Sequence, residues 1–332
     1  MAMSFKIRRK TELGLGLDIS DRIRLVKVQK KSGWQIEDFV SMELPGFAME
    51  TGALNNPETL GNYMIPLVNS LKGKALEAAA NIPASSVFFR TLILPRLPPK
   101  ELHQAAVFAA GSFLPIPIEE AVISTCPVND YIDASGVKTQ VFLVAARRQH
   151  VAALQTICRI SGIKLAAIEI EPLSIQRFLQ LDNKLSIDAY LYLNSGYSAF
   201  CVFKDQVLLY QRALDLELIV ENPAPVPENQ LGKSRPQASL DITAGAFTAK
   251  VITEVRQAVE LYRLHNHEYF PDSILLFGTL AGISDIDSIL KETLGIKVIK
   301  PDLEPLISWP ESRSIMADEF ATAIGLAIRE EI

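Results

Sequence analysis

Apolar residues gather into three short runs near the start of the chain, Leu13 to Ile19, Ile23 to Gln29 and Trp34 to Val40, parted by Asp21-Arg22 and by Lys30 to Gly33. Runs of this length between turn-forming residues predict a β-meander. A helical pattern follows from Pro57 to Leu71, with Pro66 as a candidate kink, and then a strand over about Ala75 to Ile82. The same order returns later. Strands are predicted at Ile187 to Leu193, Ala199 to Lys204 and Val207 to Arg212, then a helix over about Ala244 to His265 and a strand at Ser273 to Phe277. In that helix Val251, Val255, Val259 and Tyr262 recur at spacings of three and four, which places them on one face. Two βββαβ units without matching sequence point to an old duplication.

Between the halves lies an insertion-like block from about Ser85 to Glu171. It reads strand (Val87 to Leu94), helix (Pro98 to Phe113), strand (Ala121 to Val128), strand (Thr139 to Ala146) and helix (Arg148 to Ser161). Pro98 and Pro99 suit the first turn of its helix, and Pro115 ends it. A second break is Glu221 to Ser239, where Pro223, Pro225, Pro227 and Pro236 predict an extended loop.

Composition narrows the function classes. The 332 residues suit about two domains, and 48% apolar content fills real cores. A formal charge of -5 gives no basic excess for a phosphate backbone, so nucleic acid is not expected as a partner. The basic cluster Lys6, Arg8, Arg9 and Lys10 is a solvated arm, or a weak attraction for anionic lipid. Charged residues fill positions 6 to 12, where a signal peptide needs its apolar core, and no run is long enough to span a bilayer. Cys126, Cys158 and Cys201 are too widely spaced for zinc, and their apolar neighbours predict buried thiols in a reducing compartment.

The candidate chemistry begins at Leu17-Asp18-Ile19-Ser20. A strand that ends in an aspartate before a tight hairpin can place a carboxylate near hydrated Mg²⁺ and backbone amides near phosphate oxygens. Taken alone, an aspartate placed like Asp18 is more often a turn-capping carboxylate than a metal ligand. Other constellations are weaker. His265 and His267, two apart on a helix, diverge by about 200° and make no metal pair. Glu169 and Glu171 alternate near a strand end and suit either a carboxylate dyad or hydrogen bonding between domains. Glu119-Glu120 marks a solvated turn, and neither a Gly-x-Ser-x-Gly nor a P-loop spacing occurs.

Three passages together resemble the PilM family of type IV pilus assembly proteins, which are actin-like and related to the division protein FtsA. They are Gly16 to Ser20 with the strand Ile23 to Val28; Ile82 to Pro95, continuing through Phe113 to Glu120 and Val144 to Arg148; and Ile274 to Ala281. The resemblance implies an actin-like, ribonuclease-H-like α/β fold of two halves, 1–84 and 171–332, with an inserted α/β subdomain at 85–170 and a cleft between the halves. It also implies a partner, the cytoplasmic peptide of a single-pass inner-membrane protein of the PilN type, in a groove beside the subdomain. Arg90, Phe113 and Arg147 are the candidate groove residues, although Phe113 equally suits the subdomain's own core.

The sequence departs from the family where nucleotide would bind. Asp21 and Arg22 fill a turn expected to be small, Tyr192-Leu193-Asn194 stands where the family has Asp-Ile-Gly, Ser198 lies near its Thr, and Thr279 follows Gly278 in place of a second Gly. Only about thirty residues, the proline-rich tract, separate Leu214 from the next helix, where the family carries a small helical subdomain that walls the cleft. The expectation is therefore a cytoplasmic assembly scaffold, peripheral to the inner membrane through its partner. It would have no catalytic residues, no metal, and a degenerate nucleotide site at Asp18, Ser20, Asn194, Ser198, Gly278 and Thr279. An ATPase or nucleotide-gated switch that holds ATP with Mg²⁺ is the alternative, and a homodimer or a filament stays open.

Overall fold

A computed structural model describes residues 13–50, 53–71, 77–82, 86–134, 136–194, 197–216, 240–265, 269–282, 285–310 and 317–329. The cluster Lys6 to Lys10, the tract 221–239 and Asn266-His267 lie outside the described residues. The elements are β1 (Leu13–Ile19), β2 (Arg22–Lys30), β3 (Trp34–Glu43), β4 (Met49–Glu50), β5 (Ala53–Leu54), α1 (Pro57–Ser70), β6 (Glu77–Ile82), β7 (Val87–Pro95), α2 (Pro99–Ala110), β8 (Ala121–Asp133), β9 (Gly136–Arg147), α3 (Arg148–Ser161), β10 (Lys164–Ile170) and α4 (Glu171–Leu179). They continue with β11 (Ala189–Tyr192), β12 (Ala199–Lys204), β13 (Val207–Ala213), α5 (Leu240–His265), β14 (Ser273–Phe277), α6 (Ile286–Leu294), β15 (Lys297–Ile299) and α7 (Ala317–Ala327). None of the described helices is long and apolar enough to cross a membrane.

Two five-stranded sheets carry one topology. The first runs β3-β2-β1-β6-β10 and the second β13-β12-β11-β14-β15. In each, the opening three strands are an antiparallel meander, and the next two join parallel to the first strand. The chain divides into two compact units, 1–185 with 302–332, and 186–301.

In the first unit the two faces of β1 differ. Leu15, Leu17 and Ile19 join the core beneath α1 and α3, which includes Leu60, Met64, Leu154 and Ile157. On the alternate face a side chain at Gly14 would meet the Ala327 carbonyl oxygen at 1.9 Å, and one at Gly16 would meet that of Ala323 at 1.9 Å. These glycines let α7 lie directly on the sheet. Helix α1 runs unbroken through Pro66.

The expected borders fall differently. Helix α3 contributes Ala153, Leu154, Ile157 and Cys158 to the first unit's core, and β10 pairs in parallel with β6, so both belong to the first sheet. Expected in the second half, α4 and α7 also belong to the first unit. Without α3 and β10, the 85–170 block reduces to a smaller inserted subdomain, the sheet β7-β9-β8 with α2 packed on one face through Leu102, Ala106 and Ala110. Helix α2 ends at Ala110, short of the expected Phe113.

In the second unit Val251, Val255, Val259 and Tyr262 of α5 are buried against Leu191, Phe200, Val202 and Leu276. Cys158 and Cys201 are buried as expected, but Cys126 is exposed, because it lies on the sheet face that α2 does not cover.

Candidate functional site

Asp18 closes β1 and lies directly across from Arg24 of β2. Both are buried, Asp18 at 3% and Arg24 at 1% exposure. Arg24 Nη1 lies 3.3 Å from Asp18 Oδ2 and 2.8 Å from Asp21 Oδ1, and its Nε lies 3.6 Å from Glu319 Oε1 at the start of α7. Ser20 Oγ donates to Asp18 Oδ2 at 3.2 Å. Asn81, at the end of β6, donates from Nδ2 to Asp18 Oδ1 at 3.0 Å and to Glu171 Oε1 at 3.1 Å, while its own oxygen accepts the Ile19 amide at 3.0 Å. Each oxygen of Asp18 is thus already bonded to this protein's own groups. Burial pushes the Asp18 carboxyl up to about 6, against the opposing pull of Arg24.

Glu169 and Glu171 diverge. Glu169 is clamped by Arg177 at 2.5 Å, whereas Glu171 begins α4 and turns inward to Asn81. These bonds lie inside the first unit, and the two carboxylates take different partners in place of a dyad. Sequence reading missed Arg24 and Asn81 as partners of Asp18, and Glu171 as a partner of Asn81. A signal existed in Arg24, a charge between the apolar Ile23 and Leu25, which needs a counter-ion wherever the strand is buried.

Four more of the expected residues, Asn194, Ser198, Gly278 and Thr279, meet within the second unit. The Asn194 amide donates to Ser198 Oγ at 3.0 Å, and that hydroxyl donates back to the Asn194 carbonyl at 2.9 Å. Asn194 Nδ2 donates to the Tyr192 hydroxyl at 2.9 Å, and Asn194 Oδ1 accepts from the Thr279 hydroxyl. Gly278 has φ +109 and passes close to Leu193. The polar groups of the two loops thus bind each other, and Asn194, 5% exposed, is the bridge. Among the described residues no cluster of three His, Cys, Asp or Glu side chains is placed to hold a metal.

The three expected groove residues do not form one cluster. Arg90 stacks over the Phe113 ring at 4.9 Å, and Phe113 packs against the subdomain core. Arg147 instead approaches Glu120, 4.0 Å away. A cavity of about 530 Å³ lies nearby in sequence, between the β5–α1 junction and the first turns of α3. Leu54, Pro57 and Ala153 give it apolar walls, and Gln149, His150 and Thr156 give it polar ones. His150 Nδ1 is buried without a hydrogen-bond partner among the described residues. Burial, and then the charge of Arg147, hold the His150 pKa below its ordinary value, so the ring is neutral at pH 7.

Two sheets of one topology, each flanked by helices, with a small α/β insertion in the first unit, define an actin-like α/β protein. The family profile described as type IV pilus assembly protein PilM matches residues 16–213, and the chain belongs to that family. A solved structure described as the PilM-PilN type IV pilus biogenesis complex is similar with a TM-score of 0.78 at 20% identity, over 96% of this chain and 98% of that one. The ethanolamine utilization protein EutJ from Carboxydothermus hydrogenoformans is similar with a TM-score of 0.51 at 11% identity, over 96% and 90%.

Proposed function

We propose that this protein is a cytoplasmic assembly scaffold of a type IV pilus, type II secretion or DNA-uptake apparatus, held at the inner membrane by the cytoplasmic peptide of a single-pass PilN-type partner. The observation that carries the reading is the cavity of about 530 Å³ beside α3 in a chain of this family, with Leu54, Pro57 and Ala153 as an apolar wall for a side chain and Gln149 and Thr156 for polar contacts. The likeness to a structure described as a PilM-PilN complex supports the choice of partner. Arg147, one step before α3, adds a positive charge near His150.

The test is calorimetric titration of the full chain with the cytoplasmic peptide of the co-encoded membrane protein, paired with hydrogen exchange. Protection is expected at residues 53–57 and in α3. Ala152→Arg, at an exposed position of the cavity lining, is expected to abolish binding without lowering the melting temperature. Protection confined to residues outside about 10 to 170 would refute the site.

The nucleotide site is degenerate in the same reading. What supports this is the bonding of both Asp18 oxygens to Ser20, Arg24 and Asn81, and of Asn194 to Tyr192 and Thr279. A Mg²⁺-held triphosphate needs those groups turned toward it.

A further inference from the structure

A sheet edge with unpaired backbone groups is a template for another strand, and proteins protect such edges with proline, charge, bulges or a covering segment. Most edges here are protected. Edge strand β3 carries Glu37, Asp38 and Glu43, and the segment around Ser308 bonds alongside it at Ile36. A bulge interrupts β13, β15 is three residues long, and β8 contains Pro127, a bulge and two aspartates.

Strand β7 is protected less: it has no bulge, and its one proline, Pro95, stands at its last position. It is nine residues long, pairs with β9 in unbroken register from Val87 to Pro95, and has β9 as its only strand neighbour among the described residues. Its one charge, Arg90, lies over Phe113. Ile93 is 61% exposed, on the sheet face away from α2.

The sequence of β7 is also suited to itself. About Thr91 as a two-fold centre, antiparallel pairing sets Phe89 opposite Ile93, Phe88 opposite Leu94 and Arg90 opposite Leu92. Aromatic meets aliphatic on both faces, and no two like charges are directly opposed. We propose that β7 is a homodimerisation edge, where two copies of this chain join their three-stranded sheets into one sheet of six. The two-fold makes the contact self-limiting, since pairing uses the β7 edge of both copies at once.

The experiment is sedimentation velocity on the full chain at about 50 μM, a concentration that populates a dimer of micromolar affinity. The native chain is expected to sediment as a dimer. Ile93→Lys, at a position already exposed, is expected to weaken the dimer at least about tenfold by placing a charge against Phe89 of the other copy, with an unchanged melting temperature. In a Cys126→Ser background, Thr91→Cys is expected to form a covalent dimer on oxidation, because residues directly opposed on antiparallel strands bring their Cβ atoms to about 5 Å. A native chain that stays monomeric, a dimer that Ile93→Lys leaves intact, or a Thr91→Cys chain that does not crosslink overturns the proposal. Ile93→Lys leaves peptide binding at the α3 cavity unchanged, so this failure and that of the docking site are told apart.

Discussion

A methyl group on Gly278 would sit 2.2 Å from the carbonyl oxygen of Leu193. The two backbones are already bonded there: the Leu193 amide donates to Phe277 at 2.9 Å, and the Leu280 amide donates to Leu193 at 3.1 Å. With φ at +109, alanine at 278 meets both a clash and a disfavoured backbone. Gly278→Ala is therefore expected to destabilise the second unit by more than about 2 kcal/mol. Chemical denaturation followed by circular dichroism measures this, and a loss under about 0.5 kcal/mol would contradict it.

The raised carboxyl of Asp18 makes stability depend on pH with a definite sign. Between the ordinary value of 3.8 and about 6 the folded protein keeps a proton that the unfolded chain has released. This stabilisation is lost as pH rises through that window and is constant above it. At about 1.4 kcal/mol per pH unit it amounts to at most about 3 kcal/mol. Urea midpoints from pH 4 to 7, native minus Asp18→Asn, are expected to fall with rising pH. A flat difference rejects the assignment.

Arg147 and burial act together on His150. Arg147→Ala is expected to raise the His150 pKa toward 6.5, read from its ring-proton shifts in an NMR titration. No movement would mean that burial alone sets it.

Titration with Mg-ATP is expected to show no binding tighter than about 10 μM, or roughly 7 kcal/mol. Asp18→Ala is expected to leave that result unchanged. Tight binding lost on this substitution would establish the ATP-holding alternative.

Much of the architecture was legible because it is written in local periodicity. The meander from Leu13, the strand Ser273–Phe277 and the helix Arg148–Ser161 lie where their apolar spacing places them. What local pattern lacks is the address of an element. The amphipathic face of α3 reads the same whether it covers the subdomain or the first sheet, and only contacts far along the chain, such as Leu154 and Ile157 with Leu60 and Met64, decide it. Gly14 and Gly16 have no purpose that local pattern shows until α7, about 300 residues on, is found against them. Asn194, Ser198, Gly278 and Thr279 were identifiable together through the family resemblance, which aligns the loops after the strands ending at Tyr192 and Phe277. The α3 cavity was not, since no sequence spacing joins Leu54 to His150.

The return of α7 to β1 also bears on the order in which the molecule is made. A ribosome releases Leu13 long before Ala327, so the glycine-lined face of β1 waits through synthesis of the entire 186–301 unit before its covering helix exists. During that interval the later-encoded unit is free to finish folding while the earlier one is not. Nascent chains arrested before residue 317 should thus carry a protease-resistant second unit beside a first unit still open to cleavage.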